Sequence, residues 1–420
     1  MRQTLTLYGN LLAGYDDNLT ARLGTGTGVT PTAMTSGYTG SLDGTVDYLR
    51  GNSRHELRIG STGSLIGYPG YIDTPAAGIT ATVDGKAAAG RRLTITGGGR
   101  VGYEPFFNAF SAGVGTPLPP GSAAATPVAG LFERRSLSST ARTSLETRIG
   151  RRDSSSFSYR FAVQSVVDDE PEGNGVPSFA GRNSTSHNAG AGYKRIISAG
   201  VRARADYQFS EFTYGGSTGS MSPTRTQRVE GGADVEHAVE RGDRLVTWTV
   251  MAGAAHVEAF GSSGAGRRPY AIWLPVASAR VQVPFATTGV FDGTYRREFN
   301  LLQGITDKVY ATDTVAVSTG FGVAPRTDLR LIGSFATWTT PTPLGVSDTF
   351  EVYGAGAQLR VFITNAVGVT GVYYYYHHRY SNAAGLPEGF PATYNRNAFR
   401  LGLTFILPVV SPPSARAGRP

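Results

Sequence analysis

Apolar and polar side chains alternate with a period of two along most of the chain. The stretch GVRARADYQF, residues 200 to 209, interleaves an apolar set (Val201, Ala203, Ala205, Tyr207, Phe209) with a polar set (Arg202, Arg204, Asp206, Gln208). Successive side chains of a β-strand point to opposite faces. The stretch therefore predicts a strand with one apolar face and one charged face.

About 18 segments repeat this alternation, each of roughly 10 to 15 residues. Such lengths suit strands tilted across a bilayer of about 30 Å, whereas strands of soluble proteins typically have about five or six residues. Short turns, one of them placed at Lys194-Arg195, alternate with long Gly-, Pro- and Ser-rich connections, and both chain ends fall on the short-turn side. This organisation predicts an all-β fold, a transmembrane antiparallel up-and-down β-barrel of about 18 strands within a range of about 16 to 18. Residues 1–410 would form the outer-membrane barrel, and residues 411–420 a flexible periplasmic tail.

A soluble β-sandwich or propeller is the alternative, because it also has many alternating strands. Its apolar face would pack against a second layer. Here the apolar face is rich in Ala, Gly, Val and aromatic residues. A packed core of small residues would leave voids, whereas lipid tolerates them, so the pattern favours a closed membrane barrel without sheet edges.

Composition narrows the functional classes. The 420 residues include 56 Gly and no Cys, which excludes disulfide scaffolds and thiolate metal sites. The chain contains no run of about 18 apolar residues, so the sequence predicts no transmembrane helix. The first segment already alternates, so we expect a signal peptide to have been removed on export to the bacterial outer membrane. The six His are scattered without a Ser-His-Asp pattern, so we do not expect an enzyme. We also expect no cofactor and no nucleic-acid partner.

With the apolar face toward lipid, the other face lines the lumen, since a lipid-facing Arg costs about 2 to 4 kcal/mol at the midplane. One interpretation is that the arginines pair with neighbouring carboxylates and brace the wall; the other is a positive pathway for anionic solutes or acidic polysaccharide. Both can hold together. The predicted pore-lining residues are Arg54, Arg58, Arg100, Arg142, Arg148, Arg160, Arg202, Arg204, Asp206, Arg228, Glu230, Asp234, Glu236, Arg280, Arg296, Arg330, Arg360 and Arg400.

A barrel of this width leaves an aqueous channel unless something narrows it. The long connection at 104–135 is the candidate constriction loop, because its aromatic residues are poorly placed in open water. The alternative is a surface loop that caps the mouth or contacts a neighbouring protomer of a homo-oligomer. Its candidate residues are Glu104, Phe106, Phe107, Phe110, Phe132 and Glu133. Elsewhere, Arg297 falls on the same face as Tyr295 and Phe299, which predicts a bulge or register change.

GYDDN, residues 14–18, ends the first segment. Asp16 and Asp17 are a weak candidate for a Ca²⁺ site, the alternative being solvated strand-end acids. In the last segment, NAFRLGLTFILPV at 397–409, Phe399, Leu401, Leu403, Phe405 and Leu407 alternate.

At these two ends the chain resembles a family of proteobacterial outer-membrane β-barrel porins, often associated with exopolysaccharide loci, whose first strand commonly ends in a GYDDN-like sequence. The tail SPPSARAGRP departs from that family's pattern. The resemblance implies recognition of the closing strand by the barrel-assembly machinery and contact with outer-membrane lipid and lipopolysaccharide.

Together these features predict a porin-like channel for passive passage of small hydrophilic, preferably anionic solutes. Two alternatives stay open. One is an export conduit for an acidic exopolysaccharide, and the other is a structural or adhesive barrel that anchors a surface assembly.

Overall fold

The computed structural model describes residues 2–19, 35–52, 54–69, 75–107, 132–167, 183–215, 221–238, 244–259, 270–285, 288–301, 309–340, 348–381 and 392–410. All regular elements in these ranges are β-strands. The strands are β1 (Arg2–Leu19), β2 (Thr35–Gly51), β3 (His55–Gly67), β4 (Ala76–Ala89), β5 (Leu93–Phe107), β6 (Phe132–Arg148), β7 (Asp153–Val167), β8 (Asn183–Ser198), β9 (Val201–Gly215), β10 (Met221–Ala238), β11 (Leu245–Ala259), β12 (Tyr270–Phe285), β13 (Gly289–Leu301), β14 (Val309–Ala324), β15 (Thr327–Thr339), β16 (Thr349–Phe362), β17 (Val367–Tyr380) and β18 (Thr393–Val410).

Each strand pairs antiparallel with the next along the chain, and β1 also pairs with β18. The sheet is therefore closed and has no free edge, which confirms the predicted up-and-down barrel of 18 strands. The strands are 13 to 18 residues long. Among the described residues, no helix has the length and apolar character needed to cross a membrane.

The two faces of the sheet differ as the alternation predicts. Large apolar side chains on the outward face are exposed, as at Leu11 and Leu403, which are direct neighbours on β1 and β18. In β9, Tyr207 lies outward, whereas Arg204 and Asp206 lie on the inner face and line a cavity inside the barrel. The barrel thus has an apolar exterior and a polar interior.

The turn between β8 and β9 lies at residues 199–200. The predicted turn at Lys194-Arg195 is therefore wrong. Lys194 and Arg195 continue β8 and pair with Arg204 and Ala203. Gly200 forms the turn with a φ of 83°, a conformation that side chains other than glycine rarely adopt. A glycine suited to a tight turn therefore marks the strand end better than the basic pair does.

Five of the six residues predicted for a constriction loop lie in β5 and β6. Glu104 lies in β5, and backbone pairing continues to Phe106↔Glu133 and Phe107↔Phe132. Residues at these five positions belong to the wall, because the two strands extend toward each other beyond the ends that composition suggested. Phe110 lies outside the described residues.

The predicted irregularity at Arg297 is also wrong. β13 keeps continuous register with β14 through this position, and its pairing with β12 runs without a shift up to Arg297, where it ends. Arg297 instead stays on the outward face and forms an ion pair with Asp313 at 3.5 Å, and the hydroxyl of Tyr295 donates to the same carboxylate at 2.8 Å. A carboxylate on the next strand therefore compensates the outward charge without a bulge.

Buried side chains concentrate on the inner faces of β14 to β18, β1 and β2. We call this region the packed sector. Ring contacts run through it, with Trp338 and Phe350 at 5.3 Å between centroids and His378 stacked on Tyr394 at 5.4 Å. The large buried side chains of the packed sector include Tyr310, Trp338, Phe350, Tyr374, Tyr376, His378, Tyr394 and Arg396. The rest of the inner wall is more open, so the interior is asymmetric.

β18 ends at Val410. The predicted tail, residues 411–420, lies outside the described residues, so the division at 410 stays a prediction.

Candidate channel interior

A cavity of about 1440 Å³ lies inside the barrel, along the inner faces of β3 to β15. Eight basic and six acidic side chains contribute to its lining, together with many Ser, Thr and Gly residues. The basic groups are Lys86, Arg142, Arg160, Arg204, Arg228, Arg280, Arg296 and Arg330, and the acidic groups are Glu56, Asp84, Asp206, Glu230, Asp292 and Glu298. The lining thus has a formal excess of two positive charges.

The structure distributes the predicted pore-lining residues over three environments. Nine line the cavity: Arg142, Arg160, Arg204, Asp206, Arg228, Glu230, Arg280, Arg296 and Arg330. Six others face inward on their strands without lining it: Arg58, Arg100, Arg202, Asp234, Glu236 and Arg360. The remaining three lie elsewhere: Arg54 is in the β2–β3 turn, Arg148 is the last residue of β6, and Arg400, on the same face of β18 as Arg396, is buried in the packed sector.

On β9 and β10 the arginines are held by carboxylates. Arg204 contacts Asp206 at 3.0 Å and Asp234 at 3.3 Å, and Arg202 contacts Glu236 at 2.9 Å. Asp234 and Arg202 are direct cross-strand neighbours. Since opposite charges across a strand pair stabilise a sheet by about 0.2 to 1 kcal/mol, these contacts fit the bracing interpretation.

The same arrangement continues around β10 to β13. Arg228 contacts Glu230 at 2.6 Å, Arg296 contacts Glu298 at 2.6 Å, and Arg280 contacts Asp292 at 2.5 Å. The Arg228 and Glu230 side chains are each 11% exposed. Each guanidinium here already has a carboxylate partner, which reduces its attraction for a passing anion.

The wall formed by β4 to β7 differs. Arg142 and Arg160 are direct cross-strand neighbours on the inner face. Arg142 reaches Asp84 on β4 at 2.7 Å, and its side chain is 67% exposed. Within the described residues, Arg160 forms no ion pair, and its neighbour on β8 is the neutral Asn188. This part of the wall therefore presents guanidinium groups to the cavity.

Asp84 and Asp292 are two cavity-lining carboxylates to which the sequence analysis assigned no role. Asp84 binds Arg142, and Asp292 accepts hydrogen bonds from Arg280 and from Gln282, the latter at 2.7 Å. Each precedes a glycine, and Asp-Gly is typical of turns. The signal that locates them is the parity of their strands, because each lies an even number of positions from other inward-facing residues.

At the weak Ca²⁺ candidate, Asp16 and Asp17, each carboxylate has a protein partner on β18. The Nε–H group of Arg396 is shared between the two carboxylate oxygens of Asp16, at 2.8 and 3.0 Å, and the Arg396 Nη2 group donates to the same carboxylate. Asp17 accepts from the backbone and side-chain amides of Asn397, both at 2.6 Å. In the described part of the chain, no three His, Cys, Asp or Glu side chains are grouped as metal ligands.

No protein-family model matches the chain, and no curated protein matches its sequence. Its resemblance to barrels of exopolysaccharide loci therefore stays a prediction.

Several solved structures are similar to it. The FrpB iron transporter from Neisseria meningitidis (F5-1 variant) aligns with 97% of this chain and 82% of its own, at 8% identity and a TM-score of 0.47. OpdO of Pseudomonas aeruginosa aligns with 97% of this chain and 98% of its own, at 10% identity and a TM-score of 0.45. OccAB4 of Acinetobacter baumannii covers the same shares at 8% identity and a TM-score of 0.44. Similarity at this level assigns no solute to the chain.

Proposed function

We propose that the chain is an outer-membrane channel through which small hydrophilic solutes diffuse, with a preference for anions. The observation that carries the proposal is the polar cavity of about 1440 Å³ inside a closed 18-stranded barrel. Barrels of 16 to 18 strands are wide enough to leave an aqueous path.

The exterior supports a membrane location. Exposed Leu, Ile, Val and aromatic side chains occur on the outward face of nearly every strand. A soluble protein rarely exposes a continuous apolar surface of this extent, whereas lipid requires one, and the closed ladder leaves no strand edge in hydrocarbon.

The preference for anions follows from the balance of the lining, which has two more basic than acidic groups. Because β9 to β13 pair their arginines with carboxylates, the excess belongs to groups such as Arg160 and Arg330. An acidic polysaccharide conduit would need guanidinium groups along a continuous track. The pairs on β9 to β13 interrupt such a track, so small solutes are the favoured substrate class.

Planar-bilayer recording in a KCl gradient tests the proposal. We expect steady conductance, with a reversal potential displaced from zero toward the equilibrium potential of chloride. The double variant Arg160→Glu and Arg330→Glu moves the lining from two excess positive to two excess negative charges, so its reversal potential should shift to the potassium side.

Arg225→Glu is the matched control, because Arg225 lies on the outward face of β10, paired with Glu211 at 2.7 Å. It should leave the reversal potential in place. A folded barrel that carries no current would overturn the channel, and an unchanged reversal potential in the double variant would overturn its selectivity.

A further inference from the structure

The inner wall of β4 to β7 places two arginines opposite each other and, within the described residues, a carboxylate forms an ion pair with only one of them. Arg142 on β6 and Arg160 on β7 stand directly opposite each other on one face. Like charges in such positions destabilise a strand pair. On β9 to β13 the corresponding arginines are each in contact with a carboxylate.

Asp84 neutralises this pair from one side only. Its carboxylate lies two strands from Arg142 and reaches it at 2.7 Å across Gly98 of β5. A Cβ at Gly98 would lie 2.1 Å from the Asp84 carboxylate, so only glycine permits this contact. On the other side of the pair, Arg160 faces Asn188, which has no charge.

The groups around Arg160 suit an oxyanion. The next inward row holds Ser144 and Ser158 as direct partners, and Gly190 beside Ser158 has no side chain to fill the space. Ser158 and Asn188, like Arg142 and Arg160, line the open cavity. A planar guanidinium holds a carboxylate through two parallel hydrogen bonds, and hydroxyl and amide groups can donate further ones.

We propose that Arg142, Arg160, Ser158 and Asn188 form a binding subsite for the carboxylate group of a small organic anion inside the barrel. An anion bound at Arg160 adds a negative charge beside the two arginines and so reduces their repulsion, while Asp84, held by Arg142 on the β4 side, keeps the net charge low enough for release. The subsite deepens the proposed channel function and rests on it for its biological meaning, but its binding can be measured without ion flow.

Titration calorimetry of the folded barrel in detergent with succinate tests the subsite. Arg160→Gln removes both the charge and the paired N–H donors of the guanidinium group. We expect it to weaken succinate binding about tenfold, the equivalent of one charged hydrogen-bond contact. Arg160→Lys keeps the charge but lacks the paired N–H donors, so its affinity for succinate should lie between those of the wild type and Arg160→Gln. Succinamide, the neutral analogue, should not bind.

Two further variants separate a local site from a diffuse field. Arg225→Gln, on the outward face, should bind succinate as the wild type does. Arg280→Gln removes a guanidinium already held by Asp292 and should cause a clearly smaller loss than Arg160→Gln.

Absence of binding to the wild type, or equal losses in Arg160→Gln and Arg280→Gln, would overturn the subsite. Binding that depends on Arg160 in a barrel without conductance would preserve the subsite and overturn the channel. Conductance without binding that depends on Arg160 would preserve the channel and overturn the subsite.

Discussion

Asp16 and Arg396 join the first strand to the last. Their side chains are 0% and 4% exposed, and the Arg396 guanidinium donates to both oxygens of the Asp16 carboxylate. One position further along, Asp17 binds Asn397 on the outward side. The two acids of the GYDDN segment therefore hold the junction of β1 and β18 from both faces. Closure of the barrel depends on this junction, because its two strands lie at opposite ends of the chain.

Asp16→Ala should lower the free energy of unfolding by about 3 to 5 kcal/mol, because it leaves a buried guanidinium without its carboxylate. Urea unfolding in detergent, followed by tryptophan fluorescence, measures the change. The double variant Asp16→Leu and Arg396→Met removes both charges and should recover most of the loss. If the double variant is as unstable as the single one, charge burial is not what makes Asp16 important.

At the scale of the element, two turn glycines provide a matched comparison. Gly90, between β4 and β5, and Gly200, between β8 and β9, have φ values of 70° and 83°. A Cβ at Gly90 would meet nothing within 4 Å, whereas one at Gly200 would lie 2.4 Å from the backbone oxygen of Glu236. The carbonyl of Gly200 also accepts a hydrogen bond from the Glu236 amide at 2.6 Å, so this turn is docked on the end of β10.

Both Gly90→Ala and Gly200→Ala should cost about 1 to 2 kcal/mol of left-handed strain. Gly200→Ala should cost about 1 to 3 kcal/mol more, since the new methyl group meets backbone that cannot move without breaking the docking contact. Paired urea unfolding curves measure the difference. Equal losses at the two positions would show that the contact with β10 adds nothing.

The strands themselves are predictable from sequence, because the alternation of side chains with a period of two has a direct geometric cause. Strand ends are less predictable. Lys194-Arg195 has the polarity of a turn but pairs within β8, and Phe106 extends β5 beyond its alternating pattern. Parity also locates the inward arginines. It does not reveal that Arg204 is paired while Arg160 is not, because pairing depends on register between strands, which one strand's sequence does not contain.

At the scale of the whole molecule, the interior has two parts with different physical roles. Tyr374 and Tyr376 in the packed sector are nearly fully buried, which is typical of side chains that stabilise a fold. Ser278 on β12 lines the cavity, as do Arg296 and Glu298 on β13. The proposed channel therefore has its cavity off-centre, along the charged wall and away from the junction of β1 and β18.

This asymmetry predicts opposite effects for two substitutions. Ser278→Trp places a bulky side chain in the cavity and should reduce single-channel conductance while the barrel stays folded. Tyr374→Ala empties a site in the packed sector and should cost about 3 to 5 kcal/mol of stability. Its folded fraction should conduct as the wild type does, because the vacated site lies away from the charged wall. Bilayer recording and urea unfolding on the same preparations compare the two. If Tyr374→Ala enlarged the conductance and Ser278→Trp left it unchanged, the path would lie along the packed sector instead.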